Sequence, residues 1–164
     1  MQRILDQKEF QQKLVRLAHQ IIEHIDLEEK VFFGGISGNG FAMAKSLKET
    51  ISQYSDVSID LFEISVNKEE PWTEEIGLSI PIDSLKNGYI VIIDDVLNSG
   101  KTMQYTLVTF LQQATKAIKT VAMVDRKHRR YPIKADFVGL SLSTTLQDRV
   151  EVFEKEGAYE AFLV

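Results

Sequence analysis

The most informative segment of the chain is Tyr89-Ile90-Val91-Ile92-Ile93-Asp94-Asp95-Val96-Leu97-Asn98-Ser99-Gly100-Lys101-Thr102. Its first five residues are apolar and several are β-branched, which is typical of a strand that is buried on both faces. Such strands occur in parallel sheets covered by helices. The segment therefore predicts an α/β fold with a mainly parallel central sheet flanked by helices.

Two acidic residues, Asp94 and Asp95, follow this strand at its carboxyl end, which is where open α/β sheets bind ligands. Residues 98–102 then supply small and hydroxyl side chains ahead of an apolar-periodic helix, whose N–H groups and positive dipole end can bind an anion. A ligand with vicinal hydroxyls on one side and a phosphate on the other would satisfy both features. The simpler alternative is that the acids only end a strand and cap a helix, which leaves two adjacent carboxylates with a desolvation cost.

Gly100-Lys101-Thr102 also matches the last three residues of a Walker A loop. That motif requires a glycine five residues before Gly100, and Asp95 stands there instead. The segment is therefore not a P-loop.

Composition excludes several classes of protein. At 164 residues the chain has the size of one domain, and it contains no cysteine for a disulfide or a thiolate metal site. No apolar run approaches the roughly 18 residues that span a membrane, and the N-terminus lacks a secretion signal. A net charge of −5 argues against indiscriminate binding to nucleic acid. We therefore expect a single cytoplasmic domain with no membrane partner.

A glycine-rich loop follows another apolar segment, Val31-Phe32-Phe33. Four of the seven residues at 34–40 are glycine, so backbone N–H groups can approach a polyphosphate with no Cβ in the way. The alternative is a flexible turn between strand and helix. Its position, after a buried strand as in the segment with Asp94, favours a binding loop.

The remaining elements follow from local patterns. Asp6 and Glu9 form a predicted capping box ahead of an amphipathic helix, and a hairpin around Gly157 is expected to close the chain. Residues 65–87 show no clear regular structure, which is typical of a lid or a disordered segment. Trp72 within them could cap the site, anchor a dimer or pack on its own domain.

A basic cluster follows the predicted strand at residues 120–124. Five Lys or Arg residues and one His fall within residues 126–134 of a chain that is acidic overall. A solvated surface loop is one interpretation, and a patch for phosphate or RNA backbone is the other.

The segment 89–102 resembles the motif with which type I phosphoribosyltransferases bind phosphoribosyl pyrophosphate (PRPP). That motif consists of an apolar strand, two acids, two mostly apolar residues and a loop ending in Ser/Thr-Gly-x-Thr. Within that family, two further segments resemble PyrR proteins, bacterial pyrimidine-operon attenuation regulators with uracil phosphoribosyltransferase activity. These segments are Leu17-Ala18-His19 and Asp125-Arg126-Lys127-His128-Arg129 with Pro132-Ile133-Lys134-Ala135-Asp136-Phe137-Val138-Gly139. The resemblance implies one type I phosphoribosyltransferase domain over residues 1–164, with a small hood formed by the termini and the segment after Asp136.

The resemblance also implies a reaction, a cofactor and partners. The 5-phosphoribosyl group of PRPP would pass to a pyrimidine base, giving UMP from uracil and releasing pyrophosphate. Mg²⁺ would be held through PRPP without a direct protein ligand. A homodimer or a larger homo-oligomer is implied, and RNA is a further partner that the family uses.

Residue roles are carried over by position. Asp94 and Asp95 would be catalytic, and the segment Phe137-Val138-Gly139 would lie against the base. The implied substrate-binding residues are Ile36, Ser37, Gly38, Asn39, Gly40, Asn98, Ser99, Gly100, Lys101, Thr102, Asp125, Arg126, Phe137, Val138 and Gly139. The implied RNA contacts are His19, His128, Arg129 and Lys134.

The chain departs from the PyrR pattern in functional loops. Ser37 and Asn39 stand where the pyrophosphate loop of PyrR has a lysine and an arginine, and Lys68 is the only candidate for the cation of the mobile loop. On the RNA side, Val15 replaces a threonine and Leu140 a lysine, which argues against attenuator binding. The alternative function is therefore a catalytically weak sensor of PRPP or UMP that regulates pyrimidine genes through RNA or a protein partner.

Overall fold

The computed structural model describes residues 1–27 and 29–164. Helices and strands alternate through the first three quarters of the chain and strands end it. The elements are β1 (Gln2–Leu5), α1 (Gln7–Ile22), β2 (Val31–Ile36), α2 (Asn39–Ser52), β3 (Ile59–Ser65), β4 (Gly77–Leu78), a 3₁₀ helix (Ile82–Leu85), β5 (Tyr89–Leu97), α3 (Lys101–Phe110), β6 (Ala117–Asp125), β7 (Phe137–Ser141), β8 (Val150–Lys155) and β9 (Ala158–Leu163).

The main sheet has six strands in the order β4-β3-β2-β5-β6-β7. The pairs β3–β2, β2–β5, β5–β6 and β6–β7 are parallel, and β4 is the antiparallel exception at one edge. The predicted α/β fold with a mainly parallel sheet is confirmed. Because β2 and β5 are neighbours and parallel, the loops that follow them leave the same edge of the sheet.

The side chains of β5 alternate between two hydrophobic cores, as the two-residue period of a strand requires. Val91 and Ile93 belong to the core shared with α1 and α2, whereas Ile90 and Ile92 belong to the core that contains Phe110 of α3. All four side chains are fully buried. Helices thus cover both faces, which explains why the strand carries no polar residue before Asp94.

Helix α1 begins with the predicted capping box. The Glu9 backbone N–H donates to Asp6 Oδ1 at 2.8 Å, and the Asp6 N–H donates to Glu9 Oε2 at 2.9 Å. These bonds satisfy N–H groups at the start of the helix that have no partner within it. The apolar face then packs on the sheet through Phe10, Leu14 and Leu17.

The hood is a separate antiparallel sheet of three strands in the order β1-β9-β8. The hairpin of β8 and β9 turns at Gly157, which has a φ of 81°, and its prediction is confirmed. The assignment of the segment after Asp136 to the hood was wrong for its first part. Residues 137–141 form β7, which pairs in parallel with β6 in the main sheet, because a strand with two buried positions beside β6 extends the core.

Two local predictions also need correction. Residues 65–87 contain β4 and a 3₁₀ helix, although their sequence shows no clear pattern. The apolar spacing from Thr106 to Ala114 predicts a helix that continues to Lys116. Helix α3 instead ends at Phe110, because the chain beyond it turns back and Gln113 Nε2 donates to the Ile82 carbonyl at 2.7 Å. In the described part of the chain, every helix is too short or too polar to cross a bilayer.

Candidate active site

The candidate site lies at the carboxyl edge of the main sheet, where β2 and β5 run into α2 and α3. We name residues 36–40 the β2 loop, residues 98–102 the β5 loop, and Asp94 with Asp95 the acid pair. Helix α2 comes very close to β5 at Gly40, where a Cβ would lie 2.9 Å from the Ile93 carbonyl oxygen and 3.0 Å from Asp94 Oδ1. Glycine at that position therefore lets the two loops share one site.

Asp94 is buried with only 5% of its surface exposed. Its Oδ1 accepts hydrogen bonds from the Asp95 backbone N–H at 3.0 Å and from Lys68 Nζ at 3.4 Å. Burial and the neighbouring charge of Asp95 raise the pKa of Asp94 to about 8, against the opposing effect of Lys68. In the free protein this carboxyl group therefore holds a proton over much of the neutral pH range.

Asp95 is less buried and connects three parts of the fold. Its Oδ2 accepts from Asn39 Nδ2 at 3.1 Å, and its Oδ1 accepts from the Val96 N–H at 2.8 Å. Asn39 Nδ2 also donates to the Val152 carbonyl of β8 at 2.9 Å. One amide group thus connects the start of α2, the acid pair and the hood.

The β5 loop turns into α3 at Gly100, whose φ of 86° is in the left-handed region. A Cβ there would lie 2.3 Å from Ile133 Cγ2, so both conformation and space call for glycine. The loop borders a pocket of about 280 Å³ that also contains Asp94. The lining residues are Lys68, Glu69, Asp94, Val96, Leu97, Asn98, Ser99, Gly100, Lys101, Thr102 and Met103.

The basic cluster braces the β5 loop from the side away from this pocket. Arg129 donates to the Asn98 carbonyl at 2.8 Å, to the Ile133 carbonyl at 2.7 Å and to Asp125 Oδ1 at 2.8 Å. Arg126 donates to Asn98 Oδ1 at 3.0 Å and to Thr144 Oγ1 at 3.2 Å. These cations and Asp125 therefore fix the loop through internal contacts, which the interpretation as a solvated surface cluster did not foresee.

The side chains of the β2 loop bond within the protein. The Ser37 N–H and Oγ both donate to the Ile64 carbonyl of β3, at 2.9 and 3.0 Å. Gly38 has a φ of 91° and begins α2 without a side-chain cap. The predicted pyrophosphate residues thus lie beside the acid pair, but Ser37 and Asn39 are already bonded to β3, Asp95 and β8.

The predicted base-binding residues lie two strands from the acid pair, because Asp94 pairs with Ala122 and Ala122 with Val138. Arg16 of α1 donates to the carbonyls of Val138 and Gly139, at 3.2 and 2.6 Å, and the Phe137 ring packs edge-on against His24. These three residues of β7 line neither the pocket described above nor its neighbour. The neighbouring pocket, of about 490 Å³, is bordered by Asn98, Ser99, Arg126, Lys127, His128, Arg129, Arg130 and Leu146.

The four predicted RNA contacts are also dispersed. His19 is exposed on α1 with its ring centroid 4.5 Å from that of Tyr54, and Lys134 is exposed on the loop before β7. His128 Nε2 contacts the Thr144 carbonyl, and Arg129 braces the β5 loop. The structure therefore leaves two of the four side chains without such an internal role.

Several site residues had no distinct local signal in the sequence. Glu69 reaches the pocket only because residues 66–76 fold over it, and Val152 reaches Asn39 only because the hood closes on α2. Lys68 had a signal, since it is the one cation in the acidic stretch 63–77. Within the described chain, no three His, Cys, Asp or Glu side chains cluster as a metal site.

Residues 1–157 match the family model of the phosphoribosyl transferase domain. The chain belongs to the phosphoribosyltransferase family. A relative named bifunctional protein PyrR, from Staphylococcus saprophyticus, is 32% identical over 160 residues, which cover 93% of this chain and 91% of the relative. The protein of the same name from Corynebacterium glutamicum is 32% identical, over 93% of this chain and 85% of its own.

Solved structures agree on the fold. The hypoxanthine phosphoribosyltransferase of Trypanosoma cruzi superimposes with a TM-score of 0.79 over 98% of this chain and 95% of its own, at 14% identity. A hypoxanthine-guanine phosphoribosyltransferase of Bacillus anthracis gives 0.78 over 100% and 97%, at 18% identity. The predicted type I phosphoribosyltransferase fold, the PyrR kinship and the assignment as a phosphoribosyltransferase are confirmed.

Proposed function

We propose that the protein transfers the 5-phosphoribosyl group of PRPP to a pyrimidine base, with uracil giving UMP. A ring nitrogen of the base bonds to C1 of the ribose and loses its proton, while the bond from C1 to the pyrophosphate oxygen breaks. The observation that carries this proposal is that the buried Asp94 and the braced β5 loop line one pocket of about 280 Å³. A sugar with a terminal phosphate would contact both.

The β5 loop and the first turn of α3 would hold the 5-phosphate, because N–H groups and the helix dipole favour an anion there. Asp94 and Asp95 would accept hydrogen bonds from the ribose 2- and 3-hydroxyls. As carboxylates they would also stabilise the positive charge that builds on the ring in the transition state. Asp94 must then give up its proton, so ligand binding should release protons near neutral pH.

The acid pair fits the oxygen chemistry of Mg²⁺, which takes one or two carboxylates together with phosphate oxygens and water. Asp94 and Asp95 would hold the ion through the ribose hydroxyls of PRPP. When bound, it would supply charge neutralisation to the departing pyrophosphate. From the protein itself, Lys68 is the cation that pairs with Asp94, whereas Ser37 and Asn39 are uncharged and bonded internally. We therefore expect slow turnover.

For the base we propose the neighbouring pocket, beside Arg126 and Leu146. It continues from Asn98 and Ser99 of the β5 loop, whereas the carbonyls of Val138 and Gly139 accept from Arg16. A base bonded to C1 of a ribose above the acid pair would enter this side of the loop. At residues 137–139 a base would share the Val138 and Gly139 carbonyls with Arg16.

The direct test replaces the acid pair. Asp94→Asn with Asp95→Asn should abolish binding of UMP and PRPP with Mg²⁺ in calorimetry, and with it the conversion of labelled uracil to UMP. Asp60→Asn, on the exposed face of β3, is the matched control and should bind as the unmodified protein does. Unchanged affinity in the double variant would refute the assignment of the ribose site.

A second candidate function is a nucleotide sensor that regulates pyrimidine genes through RNA or a protein partner. It is favoured by the exposed cations Lys127, Arg130 and Lys134 beside the site. The test is filter binding of the leader RNA of the pyrimidine genes, with and without UMP, against scrambled RNA. Electrostatic binding alone would weaken with salt by a slope of about −0.7 to −0.9 per phosphate contact for either RNA.

A regulator must prefer the leader and must respond to UMP, since coupling between two ligands is reciprocal. We expect weak preference, because His128 and Arg129 have internal partners and Val15 and Leu140 replace polar residues. Nanomolar, UMP-dependent binding to the leader alone would reverse this order of functions.

Three expectations from the sequence remain proposals. They are a single domain, a homodimer or larger homo-oligomer, and a cytoplasmic location. The family match over residues 1–157 supports the first. Sedimentation equilibrium would decide the second, and fractionation of cells the third.

A further inference from the structure

Residues 66–76, which we name the strap, cross the mouth of the pocket between β3 and β4. The strap carries Lys68 and Glu69 into the pocket lining. Its turn has its own supports, because Asn67 Oδ1 accepts from the backbone N–H groups of Glu69 and Glu70, both at 3.1 Å, and Pro71 is buried. The strap therefore has a defined shape above the acid pair.

Lys101, the first residue of α3, contacts the strap at two points. Its Nζ donates to the Glu69 carbonyl at 2.6 Å and lies 5.7 Å from the centroid of the Trp72 ring. Trp72 also contacts Tyr105, one turn further along α3, with ring centroids 6.0 Å apart. The strap is thus fastened to the same helix whose N-terminus borders the proposed phosphate site.

These contacts of Lys101 fix the position of Lys68. This residue directly precedes Glu69, and its Nζ pairs with the buried Asp94 at 3.4 Å. Half of the Lys68 side chain is exposed, so its own contacts hold it weakly. A fastened strap keeps the ammonium beside Asp94 while the pocket is empty, and a released strap lets it follow an incoming anion.

The Lys101 ammonium contacts the strap and also lies where it could contact a bound phosphate. Its side chain lines the pocket, and its backbone N–H donates to Ser99 Oγ at 3.3 Å within the β5 loop. A phosphate group in that loop would therefore lie close to the same ammonium. A doubly charged phosphate is a stronger hydrogen-bond acceptor than a neutral carbonyl, so it would compete with Glu69 for Lys101.

We propose that Lys101 is a positioning residue that holds the strap, and with it Lys68, over the acid pair. When a ribose phosphate ligand binds, Lys101 exchanges its contacts with the strap for a contact with the phosphate. The inference rests on the proposed phosphate site. It assigns the release of the strap to the phosphate end of the ligand and not to the base. Binding of the phosphate then prepares the pocket for the charge at the other end of PRPP.

Trp72 is the only tryptophan of the chain, so its fluorescence reports on the strap alone. In the free protein, Lys101→Met should increase acrylamide quenching of Trp72 and lower its anisotropy, because losing the hydrogen bond and the cation–π contact favours the open strap by about tenfold. Lys101→Arg should restore most of the effect. Lys45→Met is the matched control, since Lys45 lies 5.6 Å from the Phe41 ring, in a similar cation–π contact on α2.

The exchange is tested by titrating ribose 5-phosphate while following Trp72, with calorimetry on the same samples. The unmodified protein should move toward the signal of free Lys101→Met, and Lys101→Met should bind ribose 5-phosphate more weakly without a change in Trp72. Equal quenching of Lys101→Met and the unmodified protein would refute the claim that Lys101 holds the strap. Bound ligand with an unchanged Trp72 signal would overturn the exchange, whereas absence of calorimetric binding would refute the proposed phosphate site itself and the exchange with it.

Discussion

The β2 loop and the β5 loop are built to the same plan but use their polar groups in opposite ways. Each follows a buried strand, contains a glycine with positive φ, 91° at Gly38 and 86° at Gly100, and leads into a helix. In the β2 loop, Ser37 bonds to β3 and Asn39 bonds to Asp95 and β8. In the β5 loop, the brace comes from Arg126 and Arg129 behind the loop, while its front borders the pocket.

This difference shows that glycine content alone does not make an anion site. The β5 loop has its carbonyl groups occupied by outside donors, so it is held in shape before a ligand arrives and loses little entropy on binding. An anion at the β2 loop would find uncharged side chains that already stabilise the acid pair and the hood. Ligand affinity should therefore come mainly from the β5 loop.

Removing the brace should produce the largest difference between the loops. Arg129→Met leaves the buried Asp125 carboxylate without its guanidinium partner, so the free energy of unfolding should fall by about 2–4 kcal/mol. Affinity for ribose 5-phosphate should fall more than about tenfold, because Asn98 loses the donor that holds its carbonyl. Asn39→Ala, the matched change in the β2 loop, should cost only about 1 kcal/mol of stability. Urea unfolding and calorimetry measure both, and equal losses would remove the distinction.

The second difference concerns pH, because the acid pair belongs to the β5 side. A folded-state pKa of about 8 lies above the ordinary 3.8 of Asp94, so its neutral form stabilises the fold below pH 4 and this contribution is lost as the pH rises through 8. At pH 8.5 the free energy of unfolding of Asp94→Asn should therefore be about 1–3 kcal/mol higher than that of the unmodified protein. The gain should vanish near pH 4.

Urea unfolding across this pH range measures the effect, and Ser37→Ala is the control in the β2 loop. Its stability relative to the unmodified protein should not vary with pH, since no carboxyl group is involved. A stability difference for Asp94→Asn that is the same at every pH would contradict the assignment of the raised pKa.

A smaller effect is expected from restoring charge to the β2 loop. Ser37→Lys with Asn39→Arg places two cations where pyrophosphate charge develops, so kcat for uracil should rise by about tenfold. Affinity for UMP should change little, because UMP carries no pyrophosphate. Steady-state kinetics and calorimetry separate the two quantities. Equal changes in both would show that the β2 loop does not face the pyrophosphate.

The features that the sequence predicted well have local causes. The capping box of α1, the apolar strand before Asp94 and the turn at Gly157 each depend on residues a few positions apart. The β2 loop and the β5 loop could be located because each follows a buried strand. Their common edge then follows from the parallel pairing of β2 with β5.

The features that it missed depend on contacts between distant residues. Arg129 was expected at the surface with the rest of the basic cluster, yet it bonds to Asn98, 31 positions away. Arg16 reaches Val138 and Gly139 across more than 120 positions, a contact that no local pattern in the sequence indicates. Composition shows that these side chains are polar but not which partner each one finds.

The β5 loop with the acid pair carries the ligand, and the β2 loop adds little. Ribose 5-phosphate and PRPP differ at C1, where PRPP carries its pyrophosphate. Calorimetric titration of both with Mg²⁺ at pH 8.5 therefore measures what the groups proposed to face the pyrophosphate, the β2 loop and Lys68, add to binding. The structure predicts that the two dissociation constants lie within about tenfold of each other, which is a difference in binding free energy of less than about 1.4 kcal/mol. Binding of PRPP more than about a hundredfold tighter than ribose 5-phosphate would contradict the claim.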